Sequence, residues 1–391
     1  MNDAPHPALL PAGLYDLLPP EAETEAALTG RLMGVLAAHG YERVKPPLVE
    51  FEETLFAGAG ATMASATFRT MDPLSHRMIG VRADMTPQVA RIAATRLAHR
   101  PRPLRLSYAG QVLRVAGSQM RPDRQVGQAG AELIGAGGPA ADVEAIAVAG
   151  EALAAAGVPH LSVDLTLPTL VPAIAEAYGI AGERAAALRA ALDHKDAAAV
   201  AHLAGAAGAL LAQLVAAAGP AAATRAALDR LDLPGRAQQE RARLNAVLDG
   251  LAAAMPALKV TVDPAENRGF EYHTGISFTF FARGDPALGP FGELGRGGRY
   301  EAGDPAAPEP ATGFTLYTDA ILRTLPPSPA RRRLLVPPEA GRARAAALRD
   351  EGWSTVAALL PAADWRDEAR RLQCGWVLLD GTPQLVDGGG S

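Results

Sequence analysis

The chain has 391 residues and a formal net charge of −5, with 37 Lys and Arg against 42 Asp and Glu. That length suffices for two or three domains. The slight acidic excess gives no overall basic footprint for nucleic acid, although a basic face can coexist with an acidic total. Cys374 is the single cysteine, which excludes a disulfide scaffold and cysteine-based zinc sites; no metal centre and no cofactor are expected.

The first residues, MNDAPHPALLPAGLYD, lack the basic and apolar parts of a signal peptide. Pro19, Pro20 and Glu21 open a helix whose apolar face is Leu28, Leu32, Val35 and Leu36 and which Gly40 ends. YERVKPPLVEF follows as a strand interrupted by Pro46 and Pro47, which places it at an edge or an interface. Residues 67–82 read as a hairpin turning at Asp72-Pro73. Asp84 and Thr86 then stand two apart before Pro87 and a helix with Val89, Ile92, Ala93 and Leu97 on one face. A carboxylate and a hydroxyl at this junction suit an ammonium group; Thr86 as a plain helix cap is the alternative, and both can hold.

Residues 104–135 read as strand, connection, strand. Leu104, Leu106, Tyr108, Val112 and Arg114 share one face of an extended chain. An arginine on an apolar face calls for an anionic partner. The connection adds Arg121 and Arg124, and the return strand presents Gln128 and Glu132 together. Guanidiniums opposite a Gln/Glu pair suit a small ligand with groups of both signs, or else an ion pair inside the sheet.

A helix over Asp142–Ala155 and a strand over 160–167 come next. Residues 169–255 are alanine-rich and helical in pattern, punctuated at Gly179, Gly219-Pro220 and Pro234-Gly235. Within them, Leu203–Ala223 is uncharged over a membrane-spanning length, but its alanine and glycine content predicts a soluble helix. Asp193, His194 and Lys195 read as a solvated helix face. Leu258–Val262 and 267–284 are expected strands, the second opening with Arg268, Tyr272 and His273. GELGRGGRYE (292–301) reads as a glycine-rich turn carrying Arg296 and Arg299, or a hairpin. Residues 311–325 run from strand into helix. After a PPSP linker, the remainder alternates as β-α-β-α-β, a small separate α/β domain.

Taken together, these segments resemble the catalytic core of histidyl-tRNA synthetase, a class II aminoacyl-tRNA synthetase fold, over roughly 11–325. GYERVKPPLVE (40–50) resembles motif 1, whose proline-bearing strand lies at the dimer interface. YAGQVLR through QAGAELIG (108–135) is similar to motif 2 and the histidine-binding run. RGFEYHTG (268–275) resembles the histidine signature, and GRGGRYE with GFTLYTD (295–301, 313–319) the motif 3 region. The resemblance implies an α+β fold: an antiparallel sheet flanked by helices, with core parts at 1–168 and 256–325, a helical insertion at 169–255 and a small C-terminal α/β domain at 326–391. It also implies a histidine pocket. Asp84, Thr86 and Gln128 would hold the α-ammonium. Glu132 would read the imidazole, helped by His273 in place of the family's tyrosine. Arg268 and Tyr272 would approach carboxylate and ring, and Arg114 matches the motif 2 arginine.

The departures from the synthetase pattern are specific. Ala116 stands where motif 2 has its glutamate, and Ala320 where motif 3 has the arginine that steadies the ATP γ-phosphate. Bulky Tyr317 replaces a small residue, Asp84 replaces glutamate, and the C-terminal domain is short for anticodon binding. Losing a cation at the phosphates removes what phosphoryl chemistry depends on. A kept amino-acid pocket beside a damaged ATP site resembles the regulatory subunits of ATP phosphoribosyltransferase. That family implies a non-catalytic, cytoplasmic partner of the short catalytic subunit in the first step of histidine biosynthesis. It would sense L-histidine, form a homodimer within a larger hetero-oligomer, and engage neither membrane nor tRNA. The alternative implied by the same core is an active histidyl-tRNA synthetase or another histidine-adenylating enzyme.

Overall fold

Two prolines and an acidic first turn start α1 (Glu21–Ala38), and Gly40, at φ +78°, takes the left-handed conformation just beyond its end. Leu28, Leu32, Met33 and Leu36 form its buried face. The computed structural model describes residues 9–117, 122–194, 196–266, 272–282, 292–304, 306–326 and 331–386. Two compact units divide the chain, Met1–Pro326 and Pro327–Ser391.

In the first unit, β1 (Glu42–Arg43) and β2 (Val49–Phe51) flank Pro46 and Pro47 and enter different sheets. The short helix α2 (Glu52–Leu55) leads to the hairpin β3 (Arg69–Met71) and β4 (Met78–Val81), turned around Asp72, whose carboxylate accepts the Leu74 and Ser75 amides. Helix α3 (Thr86–Ala94) precedes the long pair β5 (Leu104–Leu113) and β6 (Gln125–Ile134). Pro139 and Gly157 bound α4 (Pro139–Ala156), and β7 (Leu161–Thr166) follows.

The helices α5 (Leu170–Ala177), α6 (Gly182–Asp193), α7 (Ala197–Ala204) and α8 (Gly208–Ala216) come next, then the two-residue strand β8 (Gly219–Pro220), α9 (Ala221–Leu228) and α10 (Gly235–Ala254). The helix expected over Leu203–Ala223 is therefore three pieces. Gly205, at φ +54°, and the Gly219-Pro220 strand interrupt it. Ala198–Ala216 is apolar and long enough to cross a membrane by composition alone. Its two α-helical parts, of 8 and 9 residues, each extend roughly 12–14 Å, against the roughly 30 Å of a hydrocarbon core.

Strands β9 (Lys259–Asp263), β10 (Ser277–Ala282), β11 (Glu293–Asp304) and β12 (Ala307–Tyr317) and the helix α11 (Thr318–Leu322) complete the unit. The segment 292–301 is thus mostly strand, which corrects the glycine-rich turn read from its sequence. Of the strand expected over 267–284, Ser277–Ala282 is extended; 267–271 and 283–284 lie outside the described residues.

Among the described residues, nine strands form one sheet in the order β1-β5-β6-β12-β11-β10-β7-β9-β8, antiparallel except for β1–β5 and β7–β9. The register lines residues up in rows across it. One row is Leu106, Glu132, Gly313, Gly298 and Ser277. The next is Tyr108, Gly130, Thr315, Arg296 and Thr279. Strand alternation puts Leu133, Thr312 and Arg299 on the opposite face, where α4 packs against β6, β11 and β12.

The glycines are explained by the side chains that cross them. A Cβ at Gly297 would lie 2.5 Å from the Phe278 ring and 2.3 Å from the Gly313 carbonyl. At Gly298 it would lie 2.4 Å from the His273 ring, and at Gly130 2.5 Å from the Tyr108 hydroxyl. Glycine weakens a strand, but here it makes room for large neighbours.

The second unit holds β13 (Arg333–Val336), α12 (Gly341–Asp350), β14 (Ser354–Ala357), α13 (Trp365–Arg371), β15 (Trp376–Leu379) and β16 (Thr382–Leu385). Its sheet order is β14-β13-β15-β16, parallel except for the final β15–β16 pair. The expected β-α-β-α-β run is present, with one strand more.

Two glycine substitutions should act in opposite directions. Gly297→Ala should destabilise by about 1–3 kcal/mol through overpacking. Gly30→Ala, in α1 with nothing within 4 Å of the new methyl, should stabilise by about 0.5–1 kcal/mol. Thermal melts of both variants check the signs.

Candidate functional site

A cleft opens on the sheet face that carries Glu132 and Thr315. It is lined by Asp84 and Thr86 from the β4–α3 junction, by Tyr272 and His273 before β10, and by β11 and β12. About 370 Å³ of empty space lies within it, part of it open to solvent.

At one end stands Asp84. Its Oδ1 accepts the Thr86 amide at 2.8 Å, an Asx turn that starts α3. Its Oδ2 accepts the Gln128 side-chain NH2 at 3.0 Å, while Gln128 Oε1 accepts the Met85 amide at 3.1 Å. The turn, rather than strand alternation, directs Asp84 and Thr86 into the same cleft.

At the other end Glu132 is buried among hydroxyls. Tyr300 donates to Oε2 at 2.9 Å and Tyr108 to Oε1 at 3.3 Å. The Tyr108 oxygen also meets Thr315 Oγ1 at 2.7 Å and Thr86 Oγ1 at 3.2 Å. Burial pushes the Glu132 carboxyl up to about 8, against the pull of its Thr86, Tyr300 and Tyr108 hydrogen bonds. At neutral pH it holds a proton. The same burial, with Glu132 close by, drives the Tyr108 and Tyr300 phenols well above their usual range. Gly313 lies opposite; a Cβ there would sit 1.7 Å from Glu132 Oε2.

Aromatic rings wall the space between. Tyr272 stacks on His273 with ring centroids 4.1 Å apart and meets Tyr300 edge-on at 6.4 Å. His273 is buried, whereas Tyr272 is exposed at the mouth. Arg296 also lines the cleft and makes a two-pronged ion pair with Glu293, at 2.5 and 2.8 Å. Its guanidinium is held above its ordinary pKa by the neighbouring Tyr317 phenol and by Glu293.

Asp84, Thr86, Gln128, Glu132, Tyr272 and His273 are therefore brought together. Arg114 is not. Its Nε lies 3.4 Å from the Ala83 carbonyl, and its side chain does not line the cleft. Arg124 is tied to the carbonyls of Arg114 and Ala12 and lies over the Phe68 ring. Among the described residues these two arginines meet backbone carbonyls of the β4–α3 turn, of β5's end and of the N-terminal segment, and no contact with Gln128 or Glu132 is formed by them. Arg121 and Arg268 lie outside the described residues. Arg299 points the other way, into a buried pair with Asp142.

Reading residues one at a time missed Tyr300 and Thr315 as cleft residues and Tyr108 as the hydroxyl that joins Glu132, Thr315 and Thr86. The signal was available: glycines at 130, 298 and 313 lie in strands directly opposite or beside large polar residues, and such pairs mark side chains lying across a sheet.

Ala320 is buried in α11, Ala116 is exposed beyond β5, and Tyr317 fills part of the cleft floor. Among the described lining residues, Arg296 is the one guanidinium, and Glu293 already engages it. No group of three or more His, Cys, Asp or Glu among the described residues could hold a metal ion.

Comparisons with known proteins fit this arrangement. The histidyl-tRNA synthetase family profile matches residues 13–321. An ATP phosphoribosyltransferase regulatory subunit of Paramagnetospirillum magneticum is 59% identical over 375 residues, 96% of this chain and 97% of that protein. One from Rhodospirillum centenum is 56% identical over 98% of this chain and 97% of its own length. Among solved structures, an ATP phosphoribosyltransferase regulatory subunit/histidyl-tRNA synthetase from Bacillus halodurans superposes with a TM-score of 0.80 at 24% identity, covering 94% of this chain and 97% of that one. Histidyl-tRNA synthetase from Nostoc gives 0.77 at 19% identity, covering 95% and 91%. The chain belongs to the family of ATP phosphoribosyltransferase regulatory subunits, which shares the class II fold of histidyl-tRNA synthetase.

Proposed function

We propose that this chain is the non-catalytic regulatory subunit of ATP phosphoribosyltransferase. It activates the short catalytic subunit in the cytoplasm and binds L-histidine for feedback control of the first step of histidine biosynthesis. The observation that carries this reading is the two-ended cleft. Asp84, braced by Gln128 and the Thr86 amide, offers a carboxylate to an α-ammonium. Glu132, ringed by hydroxyls and holding a proton at neutral pH, offers that proton to an imidazole nitrogen. Once the proton has moved, a carboxylate faces an imidazolium inside a buried site, where such a pair is strong. A ring without a basic nitrogen leaves the acid unmatched and is rejected.

For feedback, histidine must favour the inhibited arrangement of the complex over the active one, since a ligand shifts an equilibrium only by its differential affinity. The alanines at 116 and 320 and the engaged Arg296 support a subunit that makes no adenylate, and the short C-terminal domain argues against a tRNA substrate. Residues 169–255 are read as a helical insertion between two core parts, 1–168 and 256–325, with 326–391 as the C-terminal domain.

A homodimer is supported by the three-stranded sheet β2-β4-β3. Leu48, Val49, Met71, Leu74 and Met78 are exposed around it, with Leu74 at 90% and Met71 at 59%. Apolar side chains clustered in this way mark an interaction surface.

Two experiments test these readings. Mixed with the short catalytic subunit, the chain should raise phosphoribosyl-ATP formation and histidine should lower it. Glu132→Gln, which keeps the shape and removes the acid, should weaken histidine at least tenfold, about 1.4 kcal/mol, and relieve the inhibition. Indifference of the catalytic subunit would remove the regulatory reading, and histidine-dependent exchange of pyrophosphate into ATP would instead identify an adenylating enzyme. For the dimer, light scattering should report twice the chain mass, falling to the monomer in Met71→Asp/Leu74→Asp; an unchanged mass in that variant excludes this face.

A further inference from the structure

Behind the cleft floor, on the face of the sheet turned toward α4, Arg299 is buried. Its Nη2 meets Asp142 Oδ1 at 2.8 Å, and its Nε lies 3.4 Å from Oδ2. The same guanidinium donates to the carbonyls of Ala136 at 3.1 Å and Gly138 at 2.8 Å, fastening the entry into α4. Thr312 donates its hydroxyl to Asp142 Oδ1 at 3.0 Å. Arg243 of α10 adds a second positive charge that acts on Asp142.

A buried charged pair is weak evidence for net stability, because desolvation offsets much of the attraction. What distinguishes this one is where its backbone leads. The Arg299 amide donates to the Ile276 carbonyl at 2.9 Å, and the Arg299 carbonyl accepts the Thr274 amide at 2.9 Å. Those bonds hold the turn that begins with Tyr272 and His273. Gly275, inside that turn, packs directly on the Arg299 stem; a Cβ there would sit 2.8 Å from Arg299 Cδ and 2.9 Å from an Arg243 nitrogen. The next residue, Tyr300, donates to Glu132, and the preceding one, Gly298, is crossed by the His273 ring. Thr312, the other partner of Asp142, precedes Gly313, the floor beneath the Glu132 carboxyl.

We propose that the buried Arg299–Asp142 pair is a positioning device for the ring-recognising end of the cleft, so that selectivity for the imidazole is set in part from the far face of the sheet. The proposal rests on the reading of the cleft as a histidine site. Arg299 does not line the cleft; it acts by fixing Tyr300 and the Tyr272–Ile276 turn, while Asp84 and Gln128, at the ammonium end, are held by the entry into α3 and by β6. Arg105 provides a control. It also pins α4 to the sheet, by a two-pronged pair with Glu144 at 2.7 and 2.8 Å, but from β5, away from the turn and from Tyr300.

The test is calorimetric titration of the full-length chain with L-histidine and with β-thienylalanine, an amino acid whose five-membered ring has no nitrogen, alongside thermal melts. Arg299→Lys should lower the ratio of histidine to thienylalanine affinity at least tenfold, and Arg105→Lys should leave it unchanged. Asp142→Asn, nearly the same size, should reproduce the loss and carries the test if the lysine variant does not fold. Equal ratios in the wild type, Arg299→Lys and Asp142→Asn would overturn the positioning role, as would a loss of the same size in Arg105→Lys, which would show that general loosening of α4 suffices. Absence of histidine binding to the wild type would overturn the reading of the cleft itself, and this inference with it.

Discussion

The arrangement depends on one unfavourable act: burying the Glu132 carboxyl in the sheet with hydroxyls and, among the described residues, no cation against it. An isolated carboxylate there is costly, and the group answers by keeping its proton, with a pKa near 8. Tyr300, Tyr108 and Thr86 satisfy its oxygens without supplying charge. The residues around it follow from that choice. Gly313 leaves room for the carboxyl, Gly130 lets the Tyr108 hydroxyl reach across, and Thr315 and Thr86 complete the hydrogen bonds of Tyr108. A carboxyl kept protonated by burial has a stored preference for any ligand that brings a base to it.

The sheet divides labour between its faces. One carries the cleft; the other carries α4, fastened through Asp142–Arg299 and Glu144–Arg105. Adjacent residues on β11 serve both, Arg299 behind and Tyr300 in front, and on β12 Thr312 and Gly313 do the same. Because alternation along a strand is fixed, neighbouring residues on these strands face α4 and the cleft in turn.

Much of this was legible in the sequence, for identifiable reasons. Helix α1 was readable from its prolines, acidic first turn and apolar spacing, and the hairpin at 67–82 from Asp72-Pro73. The pair β5–β6 followed from its alternation, and the C-terminal unit from its regular exchange of strand and helix patterns. The segment 292–301 was left between a turn and a hairpin because four glycines in ten residues normally break a strand. Here Gly297 and Gly298 are forced by Phe278 and His273 lying over them, and no local rule sees neighbours 19 and 25 residues away. The arginines misled for a related reason. Arg114, Arg124 and Arg299 look alike in sequence, yet backbone carbonyls hold the first two and Asp142 the third. Asp84, Thr86, Gln128 and Glu132 were recognisable through the family resemblance, and their convergence now has a geometric cause in the Asx turn at Asp84 and the register of β6 with β12.

In the proposed site Glu132 supplies the proton that a bound imidazole receives. Calorimetric titration with histidine across a range of pH separates this from an ordinary carboxylate. Free imidazole takes up a proton near pH 6.5 and Glu132 releases one near 8. Between those values the single proton of the complex is already present on Glu132, so affinity should be level. Above about 8 a proton must be taken up, and below about 6.5 one must be lost, so affinity should fall on both sides by about tenfold per pH unit. If Glu132 were an ordinary carboxylate in the free subunit, affinity would begin to fall at about 6.5 and go on falling through neutrality, and that profile would rule out a proton held by Glu132.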